Sequence, residues 1–349
     1  MRRYLNKALI YQWFNSAKFA IIAGILFWGL YSNAMISDIH VGVLNDISRL
    51  HSNEFRTAGL EQYFILGLIF LVIYVLTFGN NKRNTEIFLC SGPYTRKQIK
   101  FNELFCYMIT LGFFILTYLY IAATFYIRNM DSFIIINGYS TIIMIEIIRI
   151  LLFGILGIII MLTVEAMFSN NMVGVMFMII IPFSFVFSIM RKFYDYYFMW
   201  MNRVIVKEYT SEELNRFKSS GLFDGYTFAN QIRMKNLFIA SCILIMIIVV
   251  SLFILNYVQR KNSLETNVGF FGSTWSKNVV FVYLSIAFGI ILSDLILGNY
   301  KERFTDSYYF VEKISINNYF TSFGIDLGLS AVVGIIIYMI IKKVSKKLT

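Results

Sequence analysis

Residues 142–190 are predominantly apolar, and Ser169, Asn170 and Asn171 are the one place where three polar residues stand in a row. The hydrocarbon core of a bilayer is about 30 Å thick, and about 20 apolar residues cross it as a helix. This run is too long for one crossing, so the triplet must be a tight turn between two spans. The same length criterion marks eight candidate spans, at 19–36, 63–79, 104–126, 142–168, 172–190, 236–257, 279–298 and 323–341. Alternation with a period of two over about ten residues does not recur, which argues against a β-barrel. Composition agrees: 58% of the chain is hydrophobic and 15% charged, against about 25% charged in soluble domains. The expected fold is an all-α integral membrane protein of about eight transmembrane helices.

An interfacial helix is expected ahead of the first span. In residues 1–18, Leu5, Leu9 and Trp13 recur at i, i+4 and i+8, with Arg2, Arg3, Asn6 and Lys7 elsewhere on the wheel. That pattern suits a helix lying in the headgroup region. A signal peptide is the rival reading, since Ser32, Asn33 and Ala34 put small residues at cleavage offsets. The long, amphipathic basic segment argues against it. The net charge of +11 does not indicate nucleic acid, because the cations sit in short segments between apolar runs. With the N-terminus inside, the inner segments hold sixteen Lys and Arg and the outer ones fourteen, eight of them in 191–235. The positive-inside rule then favours cytoplasmic N- and C-termini in a bacterial cell membrane. The domain expectation is an interfacial helix over 1–18 and a first bundle of five spans over 19–190, with an inner loop at 80–103. An outer segment with short helices over 191–235 and three last spans with a basic tail over 236–349 follow. Within the outer segment, "TSEELNRFKSSG" reads as a capped helix, with Glu213 three residues after Thr210.

Catalytic signatures are missing. The sequence contains no Gly-Lys dipeptide, so it lacks the usual phosphate-cradling loop, and no GxSxG, HExxH or CxxC occurs. His40 and His51 are the two histidines, both expected in an outer loop and too few for a metal site. Cys90, Cys106 and Cys242 lack metal-ligand spacing and read as free thiols. The chain is therefore expected to be no enzyme, with no metal and no cofactor of its own. Charges within spans are costly and usually functional. Glu146 and Arg149, spaced i, i+3, together with Asp294 and Asp326, are candidates for a polar translocation path, while Glu165 lies near the other end of the fourth span. Ala20 with Gly24, and Gly324 with Gly328, are small-residue pairs that would allow close helix approach.

The most polar, turn-prone stretch is "CSGPYTRKQIKF", residues 90–101. Pro93 fixes φ and cannot continue a preceding helix, and Thr95 is placed to cap a helix starting at Arg96. In its wider setting, "TEIFLCSGPYTRKQIKFNELFCY", residues 85–107, resembles the inner loop of ABC-2 type transporter permeases. Glu86, Phe88, Leu89, Ser91, Pro93, Thr95, Arg96, Lys97, Gln98 and Ile99 fit that family's pattern. Asn102 and Glu103 depart from it, since family members commonly carry Lys just before the next span. The layout is also similar, and "YVQRKNSLETNVGFFG" at 257–272 looks like the second inner loop of a subset of such permeases.

The resemblance implies a membrane subunit that receives motion from a separate ATPase. Ser91, Gly92, Pro93, Tyr94, Thr95, Arg96, Lys97, Gln98 and Ile99 would form the coupling loop. Ile99 would make an apolar contact with the partner, and Arg96 and Lys97 would supply charge. Two ATPase subunits, which bind the ATP and Mg, and a second permease, identical or homologous, are the expected partners in the bilayer. The substrate implied is an amphipathic peptide or antimicrobial, as in exporters of the phenol-soluble-modulin kind. The alternative is a membrane immunity or sensor protein that binds an antimicrobial through 191–235 without moving it.

Overall fold

The computed structural model describes residues 5–48, 58–78, 82–133, 139–199, 222–261, 270–305 and 316–348. They form α1 (Lys7–Ser48), α2 (Leu60–Phe78), α3 (Lys82–Ser91), α4 (Arg96–Arg128), the single turn α5 (Met130–Phe133), α6 (Tyr139–Met167) and α7 (Asn171–Phe185). A π-helical turn (Val186–Met190) leads into α8 (Arg191–Met199), followed by α9 (Leu222–Lys261), α10 (Thr274–Thr305) and α11 (Ile316–Leu348). Seven helices among the described residues are long and apolar enough to cross a membrane. The eighth candidate is a shorter apolar helix, Gln62–Thr77. By helix length and composition, the chain is an all-helical, multi-pass membrane protein.

Two compact units divide it, 1–166 with 215–261 and 167–214 with 262–349. The partition differs from the expected run of five spans then three: α7 belongs with α10 and α11, and α9 with the first unit.

In the first unit, α1 runs unbroken for 42 residues, about 63 Å at 1.5 Å per residue, well beyond the hydrocarbon thickness. The expected interfacial segment and first span are thus one rod. Leu9 and Trp13 are buried against protein, the Trp13 ring lying edge-on to Tyr107 at 5.0 Å. The apolar stripe that suggested a headgroup-facing helix is the packing face for α4. Farther along, the Trp28 indole donates to the Phe114 carbonyl at 2.9 Å, which satisfies its one polar atom. A Cβ on Gly24 would lie 3.1 Å from Ile73, 3.3 Å from Ile69 and 3.3 Å from Phe114, so the Ala20–Gly24 pair does mark a close approach. His40 sits on α1 against the Phe125 ring at 5.3 Å, not in a loop. His51 and the helix expected at 210–221 lie outside the described residues.

In the second unit, Asn170 caps α7 by accepting from the Met172 and Val173 amides at 2.9 and 3.5 Å, as the polar triplet required. Pro182 inside α7 removes a backbone donor, and the ladder widens into the π turn at Val186. A π turn adds one residue per turn, which rotates the side chains beyond it relative to a regular helix. Arg191 to Met199 continue from there. Helices α10 and α11 pack so closely that a Cβ on Gly289 would lie 2.8 Å from the Gly334 Cα and the Ser330 carbonyl. Gly324 and Gly328 instead face open space.

Candidate functional site

The α3–α4 hairpin builds the first candidate site. Ser91 Oγ donates to the Phe88 carbonyl at 2.7 Å and the Gly92 amide to the Leu89 carbonyl at 3.2 Å, which closes α3 ahead of Pro93. Thr95 takes an extended conformation and accepts from the Gln98 amide at 3.3 Å, while the Gln98 side chain accepts from the Thr95 amide at 3.0 Å. This reciprocal capping box satisfies two otherwise orphaned donors, and α4 starts at Arg96 as the sequence suggested. It does not stop after a short helix but continues to Arg128. Loop and span are therefore one rigid piece.

Exposure sorts the expected loop residues. Ser91, Gly92, Pro93, Thr95 and Lys97 are exposed, Tyr94, Arg96 and Gln98 half-buried, and Ile99 buried. Ile99 is 8% exposed and packs inward. Ile87 and Phe88 on α3 supply the outward apolar surface, Phe88 being 74% exposed. Cys90 is half-buried on the same helix. Burial pushes its thiol up from the ordinary value, Glu86 adds to the rise, and Arg96 and Lys100 partly offset it.

Behind the loop lies a buried ion network that joins three helices. Lys82 on α3 donates to Glu103 on α4 and, at 2.5 Å, to Glu165 on α6. Lys100 on α4 pairs with Glu86 on α3 and, at 2.9 Å, with Glu165. Lys82 also stands 4.6 Å from the centre of the Tyr74 ring, a cation–π contact. The carboxylates of Glu86, Glu103 and Glu165 lie within 4.8 Å of one another, and the two ammonium groups fill the place that a cation would take. Asn102 meanwhile accepts from the Asn6 amide at 3.0 Å. Asn102, Glu103 and Lys100 thus each fasten α4 to a neighbouring part of the chain.

Glu146 and Arg149 form a separate clamp in the same unit. Glu146 is fully buried. It accepts from the Ala58 amide at 2.9 Å and from the Tyr63 hydroxyl. Arg149 donates to the Ala58 carbonyl at 3.1 Å and stands 3.8 Å from Glu146. The pair holds the start of α2 against α6.

Asp294 and Asp326 come together in the second unit, on a residue the sequence reading did not select. Lys192 Nζ lies 2.8 Å from Asp294 and 2.5 Å from Asp326, and 3.5 Å from the Ser293 and Ser330 hydroxyls. The Tyr196 hydroxyl donates to the other Asp326 oxygen at 2.7 Å. Lys192, Tyr196, Asp326 and Ser330 also line an open groove of about 520 Å³ along α10 and α11. Its walls are mostly apolar, Val282, Ile286, Ile290, Leu327, Ala331 and Ile335 among them. The expected translocation residues therefore divide, with Asp326 lining this groove and Asp294 tied to it through Lys192, and Glu146 and Arg149 in the first unit. The one signal for Lys192 was its place directly after a span, where an unpaired cation would be costly.

Comparison with protein-family models, with curated proteins and with solved structures finds no match.

Proposed function

We propose that the chain is the membrane subunit of an ATP-driven exporter of the ABC-2 type, moving an amphipathic substrate out of a bacterial cell. A separate ATPase, present in two copies and binding ATP and Mg, supplies the energy, and a second permease, identical or homologous, completes the assembly. The observation that carries this reading is the α3–α4 hairpin. It presents an exposed, capped turn at Ser91–Thr95, and its base is tied to α6 through Lys82, Lys100 and Glu165. A turn that must pass a push into a membrane bundle needs both an accessible tip and a stiff root. On this reading, ATP-driven closure of the partners displaces the tip on the cytoplasmic side, and the hairpin moves as a unit with α4. The membrane helices then alternate access by rigid-body motion.

The test is a pull-down of the tagged full chain from its native membranes in mild detergent, followed by mass spectrometry. A stoichiometric ATPase carrying a phosphate-binding loop is the expected companion. A chain that comes down alone, where a control exporter keeps its ATPase, sinks the proposal. The groove beside Lys192 favours a second reading, a membrane sensor or immunity protein that binds an antimicrobial without transporting it. Pro93→Ala and Arg96→Ala separate the two: they uncouple an exporter and leave a sensor working.

A further inference from the structure

The ion network behind the α3–α4 tip is out of balance by one charge. Three carboxylates, Glu86, Glu103 and Glu165, face two ammonium groups, Lys82 and Lys100. All five side chains are at most 10% exposed. Among the described residues, no other cation pairs with any of the three carboxylates. Arg96 stands by Cys90 and Lys7 on α1 is exposed, so neither closes the deficit. A buried charge without a counter-charge is costly, and a carboxyl group in that position takes up a proton instead. A metal ion has no room here, because the carboxylates lie within 4.8 Å of one another with the ammonium groups among them. A proton needs none.

Geometry selects the carboxyl group. Glu165 gives one oxygen to Lys82 at 2.5 Å and the other to Lys100 at 2.9 Å, so both are held by full charges. Glu86, on α3, pairs with Lys100 through one oxygen. Glu103 is the least exposed of the three. Its Oε1 pairs with Lys82, while its Oε2 has only Lys100 at 3.5 Å, which leaves that oxygen able to carry a hydrogen. A second observation points to the same place. The Tyr107 hydroxyl, one helical turn farther along α4, is fully buried and has no hydrogen-bond partner. The Tyr107 ring is held by Trp13 of α1 and Phe70 of α2. Its hydroxyl lies in the field of Glu103 and Glu165, with Tyr74 and Cys106 beside it. An orphaned buried hydroxyl marks a place for one more hydrogen-bonding group, and a protonated carboxyl, donor and acceptor at once, supplies it.

We propose that the network is a proton-binding site, which holds one proton on Glu103 Oε2 with the Tyr107 hydroxyl as its hydrogen-bond partner. The proton comes from water, and no other bond forms or breaks. Its release leaves one uncompensated charge where α3, α4 and α6 are joined, so the root of the hairpin responds to acidity. The site stands apart from the exporter reading, because protonation needs neither ATPase nor ATP. Failure of one leaves the other intact.

The experiment is infrared spectroscopy of the full chain at neutral pH in a maltoside detergent, which has no carbonyl group of its own. It reads the carbonyl stretch of protonated carboxyl groups, recognised by its shift in heavy water. The wild-type spectrum minus that of Glu103→Gln should show one such band, with the amplitude of one carboxyl group per chain. Subtracting Glu86→Gln should show the same band, because two carboxylates then balance two ammonium groups and the proton is no longer held. Tyr107→Phe should keep the band and move it to higher frequency, as loss of a hydrogen bond does. In the wild-type chain the band should fade reversibly as the pH is raised. Absence of the band from both difference spectra overturns the proposal. So does a band that appears only when sodium in the buffer is replaced by choline, since a metal cation would then supply the missing charge. A wild-type spectrum with no protonated carboxyl band at neutral pH overturns it too, and that measurement needs no variant to fold.

Discussion

Lys100 reaches Glu86, Glu103 and Glu165 from a buried position, and its removal would leave Lys82 facing three carboxylates. Breaking a buried pair by deleting one partner costs about 3–5 kcal/mol, so Lys100→Met should destabilise the protein by about that much. Glu165→Gln should cost less, because two carboxylates then face two ammonium groups. The double variant should recover part of the Lys100→Met loss. Thermal unfolding in a fixed detergent checks this. A double variant no more stable than Lys100→Met alone would mean that the two side chains do not share one network. At this scale, legibility tracked distance along the chain. The Thr95–Gln98 capping box spans three residues and was readable from "PYTRKQI". The i, i+3 pairing of Glu146 with Arg149 was readable for the same reason. Lys82 with Glu165 is 83 residues apart, and nothing local to either residue names the other. The Ala58 backbone held by Glu146 and Arg149 was illegible for that reason too.

At the scale of elements, apolar length carried the reading a long way. All eight candidate spans fall on helices, and the polar triplet at 169–171 is a turn with an Asn170 cap. Hydrophobic pattern alone does not say which apolar face meets protein and which meets lipid. The Leu9 and Trp13 stripe therefore looked interfacial while it packs on α4. The same ambiguity misled the reading of α11, where spacing singled out Gly324 and Gly328 although the close approach is at Gly289 and Gly334. The two glycine sets make opposite predictions. Gly289→Ala places a methyl group 2.8 Å from backbone atoms that cannot rotate away, and overpacking of this kind costs about 1–3 kcal/mol. Gly324→Ala and Gly328→Ala meet open space and gain up to about 1 kcal/mol of helix propensity each. Unfolding midpoints should therefore fall for the first and hold or rise for the other two. A drop at Gly328 equal to that at Gly289 would place a further partner against α11.

For the whole molecule, the division into two units was not readable, because α7 and α9 each belong with helices distant in sequence. The count of loop cations was also a poor guide to free charge. Lys82, Lys100 and Lys192 are each ion-paired, and three of the cations weighed for orientation are thus neutralised in place. The exposed surface at the α3–α4 tip is mixed and includes Ile87, Phe88, Pro93 and Lys97. If a partner docks there, Phe88 is its apolar anchor and Lys97 its charged contact. Exposed side chains away from packing contribute within about 0.5 kcal/mol to stability, whereas an interface anchor carries about 2 kcal/mol or more. Phe88→Ser and Lys97→Glu should leave unfolding unchanged and weaken retention of the co-purified ATPase by about thirtyfold for Phe88→Ser. Cys90 gives the same test without a substitution. The thiolate is the form that reacts, and the raised Cys90 value means that its maleimide labelling is slow at neutral pH. The rate should climb about tenfold per pH unit and still be climbing at 9.0, the ordinary thiol value. Bound ATPase should slow labelling at every pH by covering the tip. Labelling that is equally fast with and without the ATPase, at matched pH, would show that the partner seats elsewhere and that the hairpin is not its handle.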